Sequence, residues 1–422
     1  MDYEAQTVNV EENITYTNQT GEDLPNLVLA VEPNLWLGCF EMQSLTSDQV
    51  VAGTHLTSQK LTLTLASPLP PDSIFHLTAR YRLNLPRTAW GNEEATRNLI
   101  FGYTGKQENL VNWYLFLVPY VPGEGWLLHE PGDKGEHLVY DSADYDVTLH
   151  FPGETTKPVV AAPTEGKKIP DGWWYHLEDA RTFTLSLSPD FQQLSTSVGE
   201  ITVLSYFFGD DSQGGELVLQ NAAKAVEIYG EKFAPYPHPT LTLVQGDFIP
   251  SMEFDGMVFI GHMFYHYLQD PPRNYLVVMT AHEVAHQWWF ALVGNDQAME
   301  PWLDEGMATF SERIFYETAY PEDAKWWQDM RITRYEPLSG WVDMTIYEPT
   351  PSYLQAVYLR GAKFMEDLRN RMGDEAFFAF LKDYATSYSH QRGTTEDFFQ
   401  VLSRHTQKDI SDIIALYFHN HP

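Results

Sequence analysis

Residues 280–287 of the chain read Thr-Ala-His-Glu-Val-Ala-His-Gln, inside an apolar pattern that predicts a helix from about residue 274 to 293. Gly294 is well placed to end that helix. His282 and His286 are four residues apart, so their imidazoles project from one helix face, one turn apart. Two nitrogen ligands placed in this way suit a tetrahedral zinc ion. Glu283 lies beside them and can reach the catalytic water without binding the metal.

A further ligand is needed, because two histidines on an exposed helix face would give the same five-residue pattern. Glu305 follows His286 after eighteen residues, where a second helix is predicted to begin near Asp304. A catalytic zinc takes three protein ligands and leaves one position open, and His282, His286 and Glu305 form such a set. The sequence therefore predicts about one Zn²⁺ per chain.

Glu312 lies seven residues after Glu305, on the same face of the second predicted helix. Its carboxylate could orient a ligand histidine from behind the metal. A solvated glutamate on a helix surface is the alternative interpretation.

The chain before this region is β-rich. Alternating apolar and polar residues predict strands at 8–16, 61–65, 75–85, 145–149 and 183–187. The pattern changes near residues 209–211, and helical spacing begins at Gly215. Two short strands follow near 241–244 and 257–260, and the rest is mostly helical. We therefore expect a β-rich domain over residues 1–207 and a mostly helical catalytic domain over residues 208–422.

Composition excludes several classes of partner. The chain has 58 Asp and Glu against 26 Lys and Arg, a formal net charge of -32, which repels phosphate backbones. We therefore expect no nucleic-acid partner. The single cysteine, Cys39, excludes an intrachain disulfide and a thiolate metal site. No apolar run approaches the length of a membrane span.

The compartment and the oligomeric state are not indicated by the sequence. No signal peptide is visible at the start of the chain. We expect an extracellular or cell-envelope protein if a leader was removed and Met1 added, and a cytoplasmic protein otherwise.

The metal motif resembles that of a known family. His-Glu-x-x-His followed by Glu305 within residues 302–306, Trp-Leu-Asp-Glu-Gly, is similar to the aminopeptidase N family of gluzincin peptidases, which includes leukotriene hydrolase. The thermolysin family keeps a slightly different spacing and ranks second. The resemblance covers most of the chain. It implies a β-rich N-terminal saddle domain followed by an α+β, thermolysin-like, mostly helical catalytic domain. The given residues resemble the small bacterial two-domain members, which lack a large C-terminal helical domain, so we expect an open cleft.

Two further segments resemble that family. Residues 358–361, Tyr-Leu-Arg-Gly, are similar to its Tyr-x-Lys-Gly motif, which implies that Tyr358 stabilises the oxyanion. From the residues alone, Tyr358 is a helix-packing aromatic. Residues 250–254, Pro-Ser-Met-Glu-Phe, are similar to Gly-x-Met-Glu-Asn, whose glutamate binds the free α-amine of the substrate. Glu253 inherits that role, although Pro250 and Phe254 depart from the family pattern.

The resemblance implies a zinc-dependent aminopeptidase that hydrolyses peptides with a free N-terminus, with Glu283 as the general base. Two alternatives stay open. An open cleft would also suit an endopeptidase or a broad peptidase. A non-catalytic, zinc-bound scaffold is the third reading, and the intact Glu283 and complete ligand set argue against it.

Overall fold

The N-terminal half of the chain is built from short strands, as the alternating pattern predicts. A computed structural model describes residues 1–88, 100–153, 157–266, 268–349 and 352–420. The strands of this half are β1 Thr7–Thr17, β2 Leu24–Ala30, β3 Phe40–Ser47, β4 Val51–Thr57, β5 Lys60–Leu69, β6 Ile74–Asn84, β7 Gly102–Tyr103, β8 Glu108–Leu110, β9 Phe116–Leu117, β10 Tyr120–Val121, β11 Gly125–Trp126, β12 Ala143–His150, β13 Val159–Ala161, β14 Lys167–Ile169, β15 Gly172–Ala180 and β16 Leu185–Ser188.

These strands pair into small antiparallel sheets around a large apolar core, with a smaller apolar cluster beside it. The strand orders are β1-β6-β3, β4-β5-β2-β9, β13-β16-β8-β7, β12-β15-β14 and β10-β11. Strand β6 shows why the pattern works: Phe75, Leu77, Ala79, Tyr81 and Leu83 are all buried, while the residues between them are exposed or half-buried. A period of two places these side chains on one face of the sheet, where they fill the core.

A mixed sheet joins the two halves. Its strands are β17 Phe191–Val198, β18 Ile201–Phe208, β19 Thr240–Gly246, β20 Met252–Phe254 and β21 Met257–Gly261, in the order β17-β18-β19-β21-β20. Pairing is parallel from β18 to β19 and from β19 to β21. This sheet runs across residue 208, so the domain boundary placed there stays a prediction.

Strands β19 and β21, inside the mixed sheet, are buried on both faces. Leu241, Leu243 and Val258 belong to the core of the helical half, whereas Val244 and Phe259 belong to the core of the β half. A strand buried on both faces reads as a continuous apolar run rather than as an alternation, because neither face meets water.

The rest of the chain is mostly helical. Its helices are α1 Ser212–Lys232, α2 His262–Tyr265, α3 Tyr275–Ala285, α4 Glu305–Ala319, α5 Ala324–Arg331, a π-helix at Leu354–Arg360, α6 Gly361–Met372, α7 Asp374–Ser387, α8 Thr395–His405 and α9 Ser411–Tyr417. Helix α3 is almost entirely buried between α1 and α4 and against β21. The predicted order, a β-rich domain followed by a mostly helical one, is confirmed. Within the described ranges, no helix is both long and apolar enough to cross a membrane.

Candidate metal centre

Helix α3 carries the two histidines, and its end differs from the prediction. Asn274 caps the start of the helix, as its side chain accepts a hydrogen bond from the Val277 amide at 3.0 Å. The helix ends at Ala285 and not near residue 293. Beyond it the amides of residues 291–293 donate to carbonyls five residues earlier, and Phe290 has a φ of 146°. The apolar run continues through these wide turns, so the sequence pattern does not reveal the end of the helix.

The wide turns and helix α4 fix the orientation of the histidine rings. Nδ1 of His286 lies 3.0 Å from the Trp289 carbonyl oxygen, to which it donates. Nδ1 of His282 lies 2.8 Å from Oε1 of Glu312. Because each Nδ1 is occupied by an acceptor, each Nε2 is left to coordinate a metal. Because the regular helix ends at Ala285, the Trp289 carbonyl is free to accept the hydrogen bond that orients His286.

Helix α4 brings the third donor to the same point. Asp304 caps this helix, with its carboxylate accepting from the Glu305 amide at 2.7 Å. Oε2 of Glu305 lies 3.2 Å from Nε2 of His282 and 3.5 Å from Nε2 of His286, and the two Nε2 atoms are 3.2 Å apart. Ligands at about 2.0–2.1 Å from a tetrahedral zinc are about 3.3 Å apart. The three donor atoms therefore fit one zinc ion.

Glu312 is fully enclosed by partners behind the metal position. Besides His282, its carboxylate accepts hydrogen bonds from Arg331 Nη2 at 2.9 Å and from Trp327 Nε1 at 2.9 Å. Burial raises its pKa, but the charge of Arg331 and the contact with His282 outweigh burial and lower it. Glu312 therefore stays ionised and holds His282 in place, so the alternative of a solvated glutamate is wrong.

Two glycines bring Tyr358 to the centre. A Cβ on Gly306 would lie 3.1 Å from Gly361 Cα, so α4 and the start of α6 can approach this closely only without side chains there. Tyr358 lies on the π-helix that precedes α6. Because the two helices are close, its hydroxyl lies 2.5 Å from Oε1 of Glu305 and donates a hydrogen bond to it. The ring of Tyr358 also stacks beside that of His282. The tyrosine therefore packs against the core of the helical half and presents its hydroxyl to the donor set.

Glu283 is buried beside the same donor atoms. Its side chain is 4% exposed, and its Oε2 has no hydrogen-bond partner among the described residues. Burial raises its pKa to about 8, against the lowering effect of His282 and His286. A carboxyl group in this state can accept and return a proton near neutral pH.

Glu253 sits on β20, the terminal strand of the mixed sheet. Gln297 Nε2 donates to its Oε1 at 3.2 Å, and burial raises its pKa. One donor atom each from Glu253, Glu283 and His286 lies within 4.8 Å of the others. His286 belongs both to this group and to the zinc-ligand set, so the two groups surround the same space. The structure thus brings together every residue that the sequence predicted for the site.

The sequence missed residues that come from distant parts of the chain. Glu136, in a loop of the β half, is half-buried close to Glu253, and both line one cavity. Burial and the negative charges of Glu253 and Glu305 raise its pKa well above the usual value. Gln297 and Arg331 were missed as well. None of them belongs to a local motif, so no signal in the sequence could have identified them.

Comparison with known proteins agrees with this geometry. Residues 217–417 match the peptidase family M1 domain. Aminopeptidase M1-B of Oryza sativa subsp. japonica is 28% identical over 222 residues, which cover 49% of this chain and 25% of the relative. Human aminopeptidase O is 28% identical over 152 residues, which cover 29% of this chain and 19% of the relative.

Solved structures share the fold over nearly the whole chain. The M1 zinc metallopeptidase from Deinococcus radiodurans superposes with a TM-score of 0.69 at 17% identity, covering 98% of this chain and 89% of that one. This likeness shows the two-domain fold. The first curated relatives are much longer, since the chain spans 25% to 33% of their length. The metal motif, the fold and the match of residues 217–417 to the peptidase family M1 domain all support the predicted resemblance to the aminopeptidase N family of zinc peptidases.

Proposed function

We propose that this chain is a zinc-dependent aminopeptidase that hydrolyses the first peptide bond of substrates with a free N-terminus. The observation that carries the proposal is the short distance between the amine-binding carboxylate and the metal donors. Glu253, Glu283 and His286 each place a donor atom within 4.8 Å of the others. One extended residue spans about 3.3–3.6 Å. An α-amine held by Glu253 therefore leaves only the first carbonyl within reach of the metal position.

The metal would be held by His282, His286 and Glu305. Zinc bound there supplies Lewis-acid polarisation of a carbonyl and acidification of water. The curated relatives are named aminopeptidases, and the Deinococcus radiodurans structure is named a zinc metallopeptidase. The proposal extends both properties to this chain.

Each remaining residue has a defined task in this proposal. Glu283 takes a proton from the attacking water and passes it to the departing amine. Tyr358 turns its hydroxyl from Glu305 toward the developing oxyanion and donates a hydrogen bond to it. Glu253 and Glu136 together bind the protonated α-amine, a cation suited to a pocket of buried carboxylates.

The first test is hydrolysis of aminoacyl fluorogenic amides, with and without a chelator. We expect activity that chelation removes and Zn²⁺ restores. Glu283→Gln keeps the shape of the side chain but removes the base, so it should retain zinc and lose roughly two to four orders of magnitude in kcat. Full activity in the chelated protein, or in Glu283→Gln, would contradict the proposal.

A second test separates an aminopeptidase from an endopeptidase. Wild type and Glu253→Ala are each assayed with free and amino-acetylated peptides. Each single change should cost about 2–4 kcal/mol in kcat/KM, because each removes one partner of a desolvated charge pair. The two changes together should cost little more than one, since they remove the same contact. Additive penalties would show that Glu253 does not bind the amine and would favour the endopeptidase.

A further inference from the structure

Gln287 directly follows the zinc ligand His286 in the chain, and its side chain points to a different element. The residue is 0% exposed. Its Nε2 donates to the Phe254 carbonyl at 3.0 Å, and its Oε1 accepts from the Gly256 amide at 2.9 Å. Both ends of the side-chain amide are therefore bound to the turn that joins β20 to β21.

The two partners fix the orientation of this amide. A backbone carbonyl only accepts and a backbone N–H only donates, so a reversed side chain would face two like groups. Both partners are backbone groups of buried residues, and each would be left unsatisfied without Gln287. The side chain is thus a two-point link between the end of α3 and the β20–β21 turn.

The same turn is held from the β half through Asp255, which lies between the two residues bound by Gln287. The Asp255 amide donates to Thr182 Oγ1 at 3.0 Å, and its Oδ2 accepts from the Arg181 amide at 2.8 Å. Its Oδ1 lies 2.7 Å from Nε2 of His238. Asp255 therefore fixes the turn relative to the β half, and Gln287 fixes it relative to the helix that carries the zinc ligands.

This link lies between the two parts of the site that must act on one substrate residue. Phe254 follows Glu253 on β20, and Gln287 follows His286. The α-amine nitrogen and the carbonyl carbon of one residue are only about 2.5 Å apart. A change of ~1 Å between Glu253 and the metal donors is large on that scale, and a misplacement of this size can cost about 100-fold in rate.

We propose that Gln287 is a positioning residue that holds Glu253 at a fixed distance from His286 and thereby confines cleavage to the first peptide bond. This inference rests on the proposed aminopeptidase function and identifies the residue that sets its register. Gln287 acts through Glu253 and His286 and takes no part in bond cleavage. A glutamine with a structural role only would support the turn without affecting which peptides are cleaved.

The test uses Gln287→Met, which keeps an unbranched side chain of similar length and removes both hydrogen bonds. Wild type and variant are assayed with free and amino-acetylated forms of one peptide. The wild type should prefer the free peptide by about 30-fold to 1000-fold in kcat/KM. In Gln287→Met, kcat for the free peptide should fall about 10–100-fold with KM little changed, because the amine is still bound but the carbonyl is misplaced.

The acetylated peptide provides the internal reference. Glu253 does not align it, so Gln287→Met should hydrolyse it nearly as fast as the wild type does, and the preference for the free peptide should fall by about tenfold or more. This preference is a ratio, so inactive protein in the sample does not change it. Zinc affinity, measured by competition with a chelator, should stay within about threefold of the wild type, below the usual effect of removing a group that holds a ligand histidine.

Gln245→Met is the matched control. Gln245 is 1% exposed, and its side chain bonds to the Phe208 amide at 2.9 Å and to Asp211 at 2.6 Å. It lies on β19, which β21 separates from β20. The control also loses two hydrogen bonds of a buried glutamine, but its preference for the free peptide should equal that of the wild type.

Gln287→Glu covers the case in which Gln287→Met does not fold. Its carboxylate still accepts from the Gly256 amide but cannot donate to the Phe254 carbonyl. The bond to β20 is thus removed while the other is kept. The preference for the free peptide should again fall by about tenfold or more.

Each outcome has a definite meaning. An unchanged preference for the free peptide in a folded, zinc-bound Gln287 variant overturns this inference and leaves the aminopeptidase proposal standing. An equal fall in Gln245→Met also overturns it, because the loss of any buried amide would then act alike. A wild type that hydrolyses the free and acetylated peptides equally would instead remove the proposed function and this inference with it.

Discussion

Two groups of buried carboxylates surround the metal position, and their pKa values move in opposite directions. Glu305 and Glu312 face histidines, and Glu312 also faces Arg331. Burial alone would raise the pKa of each, but these partners outweigh burial and lower it. Glu283, Glu253 and Glu136 are enclosed without a comparable cation, and their pKa values are raised.

The difference separates two uses of the same side chain. A carboxylate whose pKa is lowered by fixed partners is permanently charged and serves as a ligand or a support. A carboxylate whose pKa is raised by burial takes up a proton or a cation readily. Attack by water requires a proton acceptor, and an α-amine is a cation. The second group is therefore the one that meets the substrate in our proposal.

The largest effect is expected from breaking the ligand set itself. His286→Ala removes one of three donors, so the protein should lose bound zinc and fall to the activity of the chelated enzyme. Elemental analysis and amide hydrolysis on the same sample measure both. Full zinc occupancy in this variant would show that the ligand assignment is wrong.

Tyr358→Phe tests the hydroxyl group that contacts the metal-ligand carboxylate of Glu305. The variant keeps the ring beside His282 but loses the hydroxyl that reaches Glu305. We expect zinc to be retained and kcat to drop about 10²–10³-fold, the usual effect of removing one oxyanion donor. A turnover number close to that of the wild type would exclude Tyr358 from the mechanism.

Glu312→Gln tests the supporting group. The neutral amide cannot hold His282 and Arg331 as the carboxylate does, so zinc affinity should fall about 10–100-fold. Competition with a chelator of known affinity measures the change in folded protein. Glu317→Gln is the control, since Glu317 lies on the same helix and pairs with Arg369 but not with a histidine. Equal effects of the two substitutions would assign Glu312 a structural role only.

The smallest effect on activity is expected for a carboxylate of the β half that contacts none of the donor residues. Glu12 accepts hydrogen bonds from Tyr81 and the Leu115 amide, and burial raises its pKa from 4.5 to about 7. The folded state therefore binds the proton more tightly, and this group makes stability fall as pH rises from about 4.5 to 7. Glu12→Gln should gain up to about 3 kcal/mol relative to wild type between pH 4 and pH 8.

Denaturant unfolding of both proteins across this pH range measures that difference. Glu11→Gln serves as the control, because the Glu11 side chain is exposed and alternates with Glu12 along β1. A pH-independent difference between Glu12→Gln and wild type would contradict the raised pKa. The expected result would show that burial alone can raise the pKa of a carboxyl group. A raised pKa would then indicate a catalytic role only for a group that lies beside the metal donors.

Much of the site is local enough to be predicted from the sequence. The spacing of His282 and His286 follows from helix geometry, and Glu305 lies at the start of the next helix. The strands of the β half follow from a period of two, since one face of each sheet fills a core. These features depend on residues within a few turns of one another, which is the range over which sequence patterns carry information.

Other features were decided only by the tertiary structure. Helix α3 ends where His286 bonds to the Trp289 carbonyl. The apolar run continues past this point, so the sequence pattern does not show where the helix ends. Glu136 lines the same cavity as Glu253 although it comes from the β half, more than a hundred residues before the metal motif. The sequence by itself was enough to predict the set of zinc ligands and the order of the two halves. The opposite pKa shifts of the two groups of glutamates come from charges that only folding brings together.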